Sequence, residues 1–218
     1  ALRSRVSVIV EGTELSVLER RPPTDRFSVA VVGHLRDEKD PLRVADATRE
    51  LPASSQIEVH HYGSAYTSEW ERRARAEMDA NPRYHWHGEI ERARMAEVYA
   101  HANVLVHPSR IEGGSNVISE ATAARLPILA TPIPGNRGLL GEDYGGYVPV
   151  GDTRALRSAL LRAEADPGFL RHLDDSLDPL RARVTIGQET RAWSRLILGL
   201  LWSAHPLRST RPSGHPTP

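Results

Sequence analysis

The chain contains no cysteine among its 218 residues. This absence excludes disulfide bonds, thiolate metal sites and a cysteine nucleophile, and it fits a cytoplasmic protein. Long hydrophobic runs are also missing. The apolar run Leu196–Trp202 is far shorter than the ~20 residues that span a membrane, and the five-residue run near the start is too short for a signal-peptide core. The sequence therefore predicts a cytoplasmic protein without a membrane span.

An excess of charge of either sign is missing too. Lys+Arg and Asp+Glu both number 28, so the formal net charge is zero, and arginine greatly outnumbers lysine. A nucleic-acid-binding domain would need clustered basic residues on a basic domain, so we expect no nucleic-acid partner. The 10 histidines show no metal-ligand spacing such as H-E-x-x-H. We therefore expect no bound metal.

Short apolar runs alternate with helical patterns along most of the chain. This β-α-β-α order predicts an α/β fold, a Rossmann-like doubly wound parallel sheet with helices on both faces. Six runs have the length and composition of strands: Phe27–Leu35, Gln56–Gly63, Tyr84–Ile90, Asn103–Ser109, Leu126–Gly135 and Gly145–Asp152.

The predicted Rossmann-like domain covers residues 25–180. Residues 1–24 precede it, and Arg181–Ala204 follows with the pattern of one more helix, whose best interpretation is a packed helix. Residues 205–218 are rich in proline, glycine and serine with almost no large apolar residues. That composition predicts a disordered tail.

The stretch "HPSRIEGGSN" follows the fourth predicted strand and leads into a helix. Ligands of open α/β sheets bind outside the carboxyl ends of the strands. Gly113 and Gly114 allow the backbone to approach a ligand closely, and either Ser115 or Asn116 can cap the helix. The free N–H groups of the first turn and the helix dipole favour a phosphate there.

Two carboxylates bracket this turn, Glu112 before the helix and Glu120 inside it. A carboxylate is a poor partner for phosphate but a good acceptor for sugar hydroxyl groups. The combination predicts a ligand with both phosphates and sugars, a nucleotide sugar. The structural alternative is that Glu112 is an ordinary loop residue and that the helix dipole favours Glu120.

A second loop, "GHLRDEKDP", follows the first predicted strand. Gly33 permits close approach at the strand end. Arg36 and Lys39 can neutralise the charge of a diphosphate, the arginine as a fork and the lysine as a point charge. The alternative for these cations is a solvated charged loop. Two such loops at neighbouring strand ends favour a binding site over a solvated charged loop.

These residues carry a resemblance to a known family. Glu112 to Glu120 fits the E-x7-E motif of retaining glycosyltransferases with the GT-B architecture, and "GHLRDEKDP" resembles their G-R-L-x-x-x-K-G loop. "VVGHLRDEKDPLR", "EGGSNVISEA", "IPGNRGLLGEDYGGYVPVGD" and "NPRYHWHGE" together resemble the selenosugar synthases of selenoneine biosynthesis. The resemblance implies the C-terminal, donor-binding lobe of a GT-B enzyme, with residues 1–24 as the crossover from an N-terminal lobe.

The same resemblance implies a reaction and its site. Selenophosphate would attack the anomeric carbon of a UDP-sugar, and no metal would be required. The expected donor is UDP-N-acetylglucosamine. Catalysis would rest on Glu112, Lys39 and Arg36. Glu112 would contact hexose hydroxyls, Lys39 the diphosphate and Glu120 the ribose. The other implied substrate-binding residues are Gly33, His34, Gly88 and Glu89 (the last two near the uracil), Gly113, Gly114, Ser115 and Asn116.

The sequence departs from the wider pattern at two positions, which both agree with the selenosugar branch. His34 stands where arginine is common, and Asp40 stands where glycine is usual. The sequence covers essentially one lobe, and we expect the N-terminal lobe as a partner in the same polypeptide. Three other functions therefore stay open: a retaining hexosyltransferase with an alcohol acceptor, a non-catalytic fragment that binds a UDP-sugar, and a sugar epimerase of the GT-B type.

Overall fold

A computed structural model describes residues 6–15 and 18–204 of the chain. Its centre is a five-stranded parallel sheet in the order β3-β2-β1-β4-β5. The strands are β1 (Phe27–Val32), β2 (Ile57–Tyr62), β3 (Tyr84–Trp86), β4 (Val104–His107) and β5 (Ile128–Ala130). The sheet reverses its direction of growth between β1 and β4, which makes their carboxyl ends the topological switch point.

Helices connect these strands. They are α1 (Arg43–Thr48), α2 (Ser68–Ala80), α3 (Met95–His101), α4 (Asn116–Ala123), α5 (Pro134–Leu140), α6 (Thr153–Ala165), α7 (Pro167–Asp175), α8 (Asp178–Arg181) and α9 (Ile186–Ala204). Short 3-10 helices span Asp37–Lys39 and Arg92–Arg94.

The hydrophobic core lies on and around the central strands. All four residues of β4 and all three of β5 are buried, as are the first five of β1. Such continuously apolar strands are typical of parallel sheets covered on both faces. In β2, by contrast, buried residues alternate with partly buried ones, so one face of this strand is less covered. The core therefore holds β1 and β4 rigidly side by side beneath their loops.

Some predicted elements were wrong in detail. The expected sixth strand, Gly145–Asp152, makes only one isolated bridge, between Tyr147 and Ala130. Its proline, Pro149, and the single pairing partner explain why no regular strand continues. The predicted final helix, Arg181–Ala204, starts later than expected: α9 begins at Ile186, and Arg181 is the last residue of α8.

The segment that precedes the sheet packs against the start of α9. The backbone N–H of Thr13 donates to the carbonyl of Val184 at 3.0 Å, and that of Gly12 donates to the Glu189 carboxylate at 2.8 Å. The predicted disordered tail, residues 205–218, lies outside the described residues. A search of the described helices finds none that is long and apolar enough to cross a membrane.

Candidate active site

The loops that follow β1 and β4 meet at the switch point of the sheet. The backbone N–H of Arg110 donates to the carbonyl of Glu38 at 2.8 Å, which joins the two loops directly. The side chain of Arg110 also reaches Asp40, with 3.2 Å between Nη2 and Oδ1. Two loops that the sequence placed at neighbouring strand ends therefore form one continuous surface.

A compact charged cluster lies where these loops touch. Lys39 Nζ donates to Glu112 Oε1, and His107 Nε2 lies 3.2 Å from the same oxygen. The Glu112 side chain is 9% exposed and the Lys39 side chain 17%. Lys39 is the only lysine in the sequence. One cation and one imidazole thus converge on a single, largely buried carboxylate.

This arrangement decides the protonation of Glu112. Burial would raise the pKa of its carboxyl group, but hydrogen bonds from His107, Lys39 and Ser109 outweigh burial and lower the pKa to about 2. Glu112 is therefore an anion at neutral pH. An anionic carboxylate accepts hydrogen bonds and does not donate them, so Glu112 is suited to hydroxyl groups and to cationic partners.

The lowered pKa predicts a specific loss of stability in acid. A carboxyl group with a lowered native pKa stabilises the fold above its unfolded pKa, and that stabilisation is lost as pH falls from about 4.5 to about 2. We expect wild type to lose about 2 kcal/mol more of its unfolding free energy across this window than Glu112→Gln does. Urea unfolding followed by circular dichroism between pH 6 and pH 2 measures this, and equal losses in both proteins would contradict it.

Asp40 holds the first loop in an unusual backbone conformation. Its φ of 46° lies in the left-handed region, which explains why glycine suits this position and why aspartate is one of the few alternatives. The side chain is fixed on both sides: Arg43 Nε donates to it at 2.9 Å, and Arg110 contacts its other oxygen. The departure from the family pattern is therefore compensated by two arginines.

The turn before α4 has the geometry that its sequence predicts. Ser115, not Asn116, is the N-cap, and its hydroxyl accepts from the N–H of Ile118 at 3.4 Å. A Cβ added to Gly113 or Gly114 would meet no atom within 4 Å, so the space beside both glycines is open. Asn116 begins the helix, and its amide reaches Glu11 at 3.3 Å.

Glu120 lies on the second turn of α4 and is partly buried. The hydroxyl of Tyr99 on α3 donates to its Oε2 at 2.8 Å. Burial, followed by the charge and hydrogen bond of Glu120, raises the pKa of Tyr99 well above its ordinary value, so Tyr99 remains a donor. The sequence analysis did not identify Tyr99, because nothing in its local pattern shows a contact 21 positions away.

The remaining predicted residues surround this centre at different distances. Arg36 Nε lies 3.1 Å from Glu38 Oε1, with the Arg36 side chain 37% exposed, so Glu38 already engages its charge. His34 is exposed, and its Nδ1 accepts from the N–H of Ser64 at 3.2 Å. Both residues belong to the loop after β1, beside the Lys39–Glu112 pair rather than in contact with it.

Glycines allow the ends of β1, β2 and β3 to pack closely. A Cβ on Gly63 would lie 2.1 Å from the carbonyl oxygen of Gly33, and the N–H of Gly63 donates to the carbonyl of Gly88 at 2.7 Å. Gly88 itself has a φ of 69°. Gly33 and Gly88 are thus connected through Gly63, while Glu89 is exposed next to them.

A third loop, after β5, completes the site. Asn136 of α5 is fully buried, and its amide donates to the carbonyl of Thr131 at 2.9 Å. Thr131 in turn donates from its hydroxyl to the carbonyl of Ser109. Gly135 packs so tightly against the Glu112 backbone that an added Cβ would lie 2.3 Å from its carbonyl oxygen. This support for Glu112 was not predicted from the sequence.

No group of metal-ligating side chains that could hold an ion occurs among residues 6–15 and 18–204. The polar groups around Glu112 at the switch point include its carboxylate, the Lys39 amine, the His107 imidazole and the N-terminus of α4. Together they can bind a ligand that carries both negative charge and hydroxyl groups.

Comparison with solved structures places this fold among glycosyltransferases. Sucrose-phosphate synthase from Thermosynechococcus elongatus is 25% identical with a TM-score of 0.76, over 88% of this chain and 52% of that chain. Anabaena HepE in complex with UDP is 17% identical with a TM-score of 0.71, over 80% and 49%. The pneumococcal O-GlcNAc transferase GtfA, in complex with UDP and GlcNAc, is 20% identical with a TM-score of 0.66, over 88% and 38%.

The chain therefore spans about half the length, or less, of the solved chains that it resembles. Its fold is that of one lobe of a GT-B glycosyltransferase, which confirms the predicted fold class. No curated protein sequence matched the chain. The sequence model of the family described as glycosyl transferases group 1 matches residues 26–166. Because that match covers more than half of the chain, the protein belongs to glycosyl transferases group 1.

Proposed function

We propose that this chain is the donor-binding lobe of a glycosyltransferase that transfers a sugar from UDP-N-acetylglucosamine to selenophosphate. The observation that carries the donor assignment is the pairing of Lys39 with Glu112 at the switch point, next to the N-terminus of α4. A cation and a helix N-terminus suit a diphosphate, whereas an anionic carboxylate suits sugar hydroxyls. A nucleotide sugar requires both.

The proposed roles follow from these positions. Lys39, helped by Arg36 and the N–H groups at the start of α4, stabilises the charge that builds on the departing UDP. Glu112 accepts hydrogen bonds from the hexose, and Glu120 accepts them from the ribose. Lys39 and Glu112 pair with each other in the structure, so a bound donor would insert between them, with its diphosphate on one and its hydroxyls on the other.

The proposed transfer does not require a general base. The selenium of selenophosphate is an anionic nucleophile, and it forms a bond to the anomeric carbon while the bond from that carbon to the UDP oxygen breaks. UDP leaves with the bonding electrons. Water then cleaves the selenium–phosphorus bond, which releases phosphate and the seleno-sugar. The acceptor assignment rests on the resemblance to selenosugar synthases, and the proposed location is the cytoplasm.

Structures of two similar proteins support the choice of donor. HepE was solved with UDP and with UDP-glucose, and GtfA was solved with UDP and GlcNAc. This chain has the same fold, and its loops after β1 and β4 provide the cation, carboxylate and helix N-terminus that such ligands require. These parallels favour a UDP-sugar, and the GtfA complex favours N-acetylglucosamine.

The first experiment is mass spectrometry of UDP-N-acetylglucosamine incubated with selenophosphate and the full-length protein. A seleno-sugar together with UDP is the expected result. Intact binding of UDP by calorimetry without a seleno-sugar product would overturn the selenophosphate assignment and favour an alcohol acceptor.

Because the chain has a single lysine, donor binding has a direct chemical test. Pyridoxal phosphate followed by borohydride should label Lys39, and UDP should protect it. The N-terminal amine serves as an internal control that UDP should leave unprotected. Labelling of Lys39 that UDP does not change would contradict the donor site.

One structural fact favours a second function, a UDP-sugar-binding fragment without transferase activity. The chain covers 52% of sucrose-phosphate synthase and 49% of HepE, and GT-B enzymes bind the acceptor between two lobes. The isolated chain would then bind UDP and release none from a donor, with or without selenophosphate. Selenophosphate-dependent release of UDP by this chain alone would exclude that alternative.

A further inference from the structure

Tyr99 is a fully buried tyrosine, and within residues 6–15 and 18–204 its hydroxyl has one polar partner, a carboxylate at the proposed site. Its side chain is 0% exposed, and its hydroxyl donates to Glu120 Oε2 at 2.8 Å. A buried hydroxyl is costly without a partner, so the hydrogen bond stabilises the fold. It also occupies one particular oxygen of Glu120.

The second oxygen of Glu120 is left for a ligand. Within the described residues no side chain or backbone group donates to Glu120 Oε1, and the residue is only partly buried. A free glutamate side chain has several rotatable bonds, and fixing them on binding costs entropy. Tyr99 fixes them beforehand, which improves affinity by preorganisation.

We propose that Tyr99 is a positioning residue, which orients Glu120 to accept hydrogen bonds from the 2′- and 3′-hydroxyls of a ribonucleotide. This inference rests on the proposed function, in which Glu120 contacts the ribose. In this proposal the Tyr99–Glu120 pair makes the site bind ribonucleotides more tightly than nucleotides that lack the 2′- and 3′-hydroxyls. Tyr99 acts through Glu120 and does not touch the ligand.

The test compares UDP with 2′,3′-dideoxyuridine diphosphate, by calorimetry, on wild type and Tyr99→Phe. The substitution removes the hydroxyl and keeps the ring. We expect Tyr99→Phe to bind UDP about tenfold more weakly, the effect of one lost hydrogen bond. The affinity of Tyr99→Phe for the dideoxy compound should equal that of wild type, because this compound lacks the 2′- and 3′-hydroxyls that would donate to Glu120.

Tyr144→Phe is the matched control. Tyr144 is also buried, and its hydroxyl donates to the carbonyl of Ile128 at 2.7 Å, so this variant loses a buried hydrogen bond elsewhere. It should bind both nucleotides as wild type does. If Tyr99→Phe does not fold, Glu120→Asp, which shortens the carboxylate side chain, should show the same selective loss for UDP.

The outcomes separate this inference from the proposed function. If wild type binds UDP and the dideoxy compound equally, the ribose role proposed for Glu120 fails together with the role of Tyr99, whereas the donor site at Lys39 and Glu112 stands; if wild type does not bind UDP, the proposed function itself fails. If wild type discriminates and Tyr99→Phe discriminates just as strongly, only the role of Tyr99 is wrong. Equal weakening of both ligands by Tyr99→Phe would show a purely structural role and overturn the inference.

Discussion

Replacing Lys39 with alanine should lower kcat/KM for UDP release by about 10²–10³, the usual effect of removing one preorganised electrostatic donor. Lys39 is the only lysine of the chain, and its side chain is 17% exposed and paired with Glu112. An ammonium in such a sheltered place interacts strongly with developing charge on a diphosphate, because water screens it less than an exposed cation. Steady-state release of UDP from UDP-N-acetylglucosamine in the presence of selenophosphate as the acceptor, measured on the full-length protein, gives the effect.

Two arginine variants serve as controls for this result. Arg36→Ala should have a smaller effect, since the Arg36 guanidinium is paired with Glu38 and more exposed. Arg72→Ala removes the same charge from α2, where Arg72 pairs with Glu69 on the surface, and should leave activity unchanged. Lys39→Ala with at least a third of wild-type activity, or an effect no larger than that of Arg72→Ala, would contradict the role of Lys39.

The meeting of Lys39 and Glu112 could be anticipated although 73 positions separate them. Both follow apolar runs that end in polar loops, and parallel strands bring such loops to one edge of the sheet. This prediction did not require the order of the strands, because the β-α-β pattern already places the carboxyl ends of all parallel strands at one edge of the sheet. The sequence therefore predicted the fold class, and it proposed a site whose two central residues do lie in contact.

The supports of the site could not be anticipated in the same way. Tyr99 has the sequence pattern of an ordinary core residue on a helix, and only the packing of α3 shows that its hydroxyl faces Glu120. His107 ends the fourth predicted strand, where the sequence pattern does not show its partner, and the structure places its imidazole against Glu112. Such contacts depend on how helices and loops pack, which periodicity does not report.

The region after β5 is another case in which the local sequence pattern did not predict the structure. The sequence analysis ended the fifth strand at Gly135 and predicted no helix in "PGNRGLL", whose two glycines lower helix propensity, yet Pro134–Leu140 forms α5. Proline near the first position favours a helix start, and Asn136 is fixed by hydrogen bonds to Thr131. Tertiary contacts therefore outweighed local propensity here, and they brought Gly135 against Glu112.

Replacing Gly135 with alanine should lower kcat/KM by about 10², although Gly135 has no side chain to contribute. An added Cβ would lie 2.3 Å from the carbonyl oxygen of Glu112 and 2.8 Å from its carbonyl carbon. Both are backbone atoms, so the overlap must be relieved by moving the loop that carries Glu112. A displacement of about 1 Å in a catalytic group is enough for an effect of this size.

Gly138→Ala, on the same helix α5, is the matched control, because a Cβ there would meet no atom within 4 Å. Alanine is the better helix former by about 1 kcal/mol, so Gly138→Ala should retain activity with equal or higher thermal stability. The Gly135→Ala variant should instead lose activity and the lowered pKa of Glu112, visible as a smaller loss of stability between pH 4.5 and pH 2. Equal activity of the two variants would show that the contact between α5 and the Glu112 loop does not position the carboxylate.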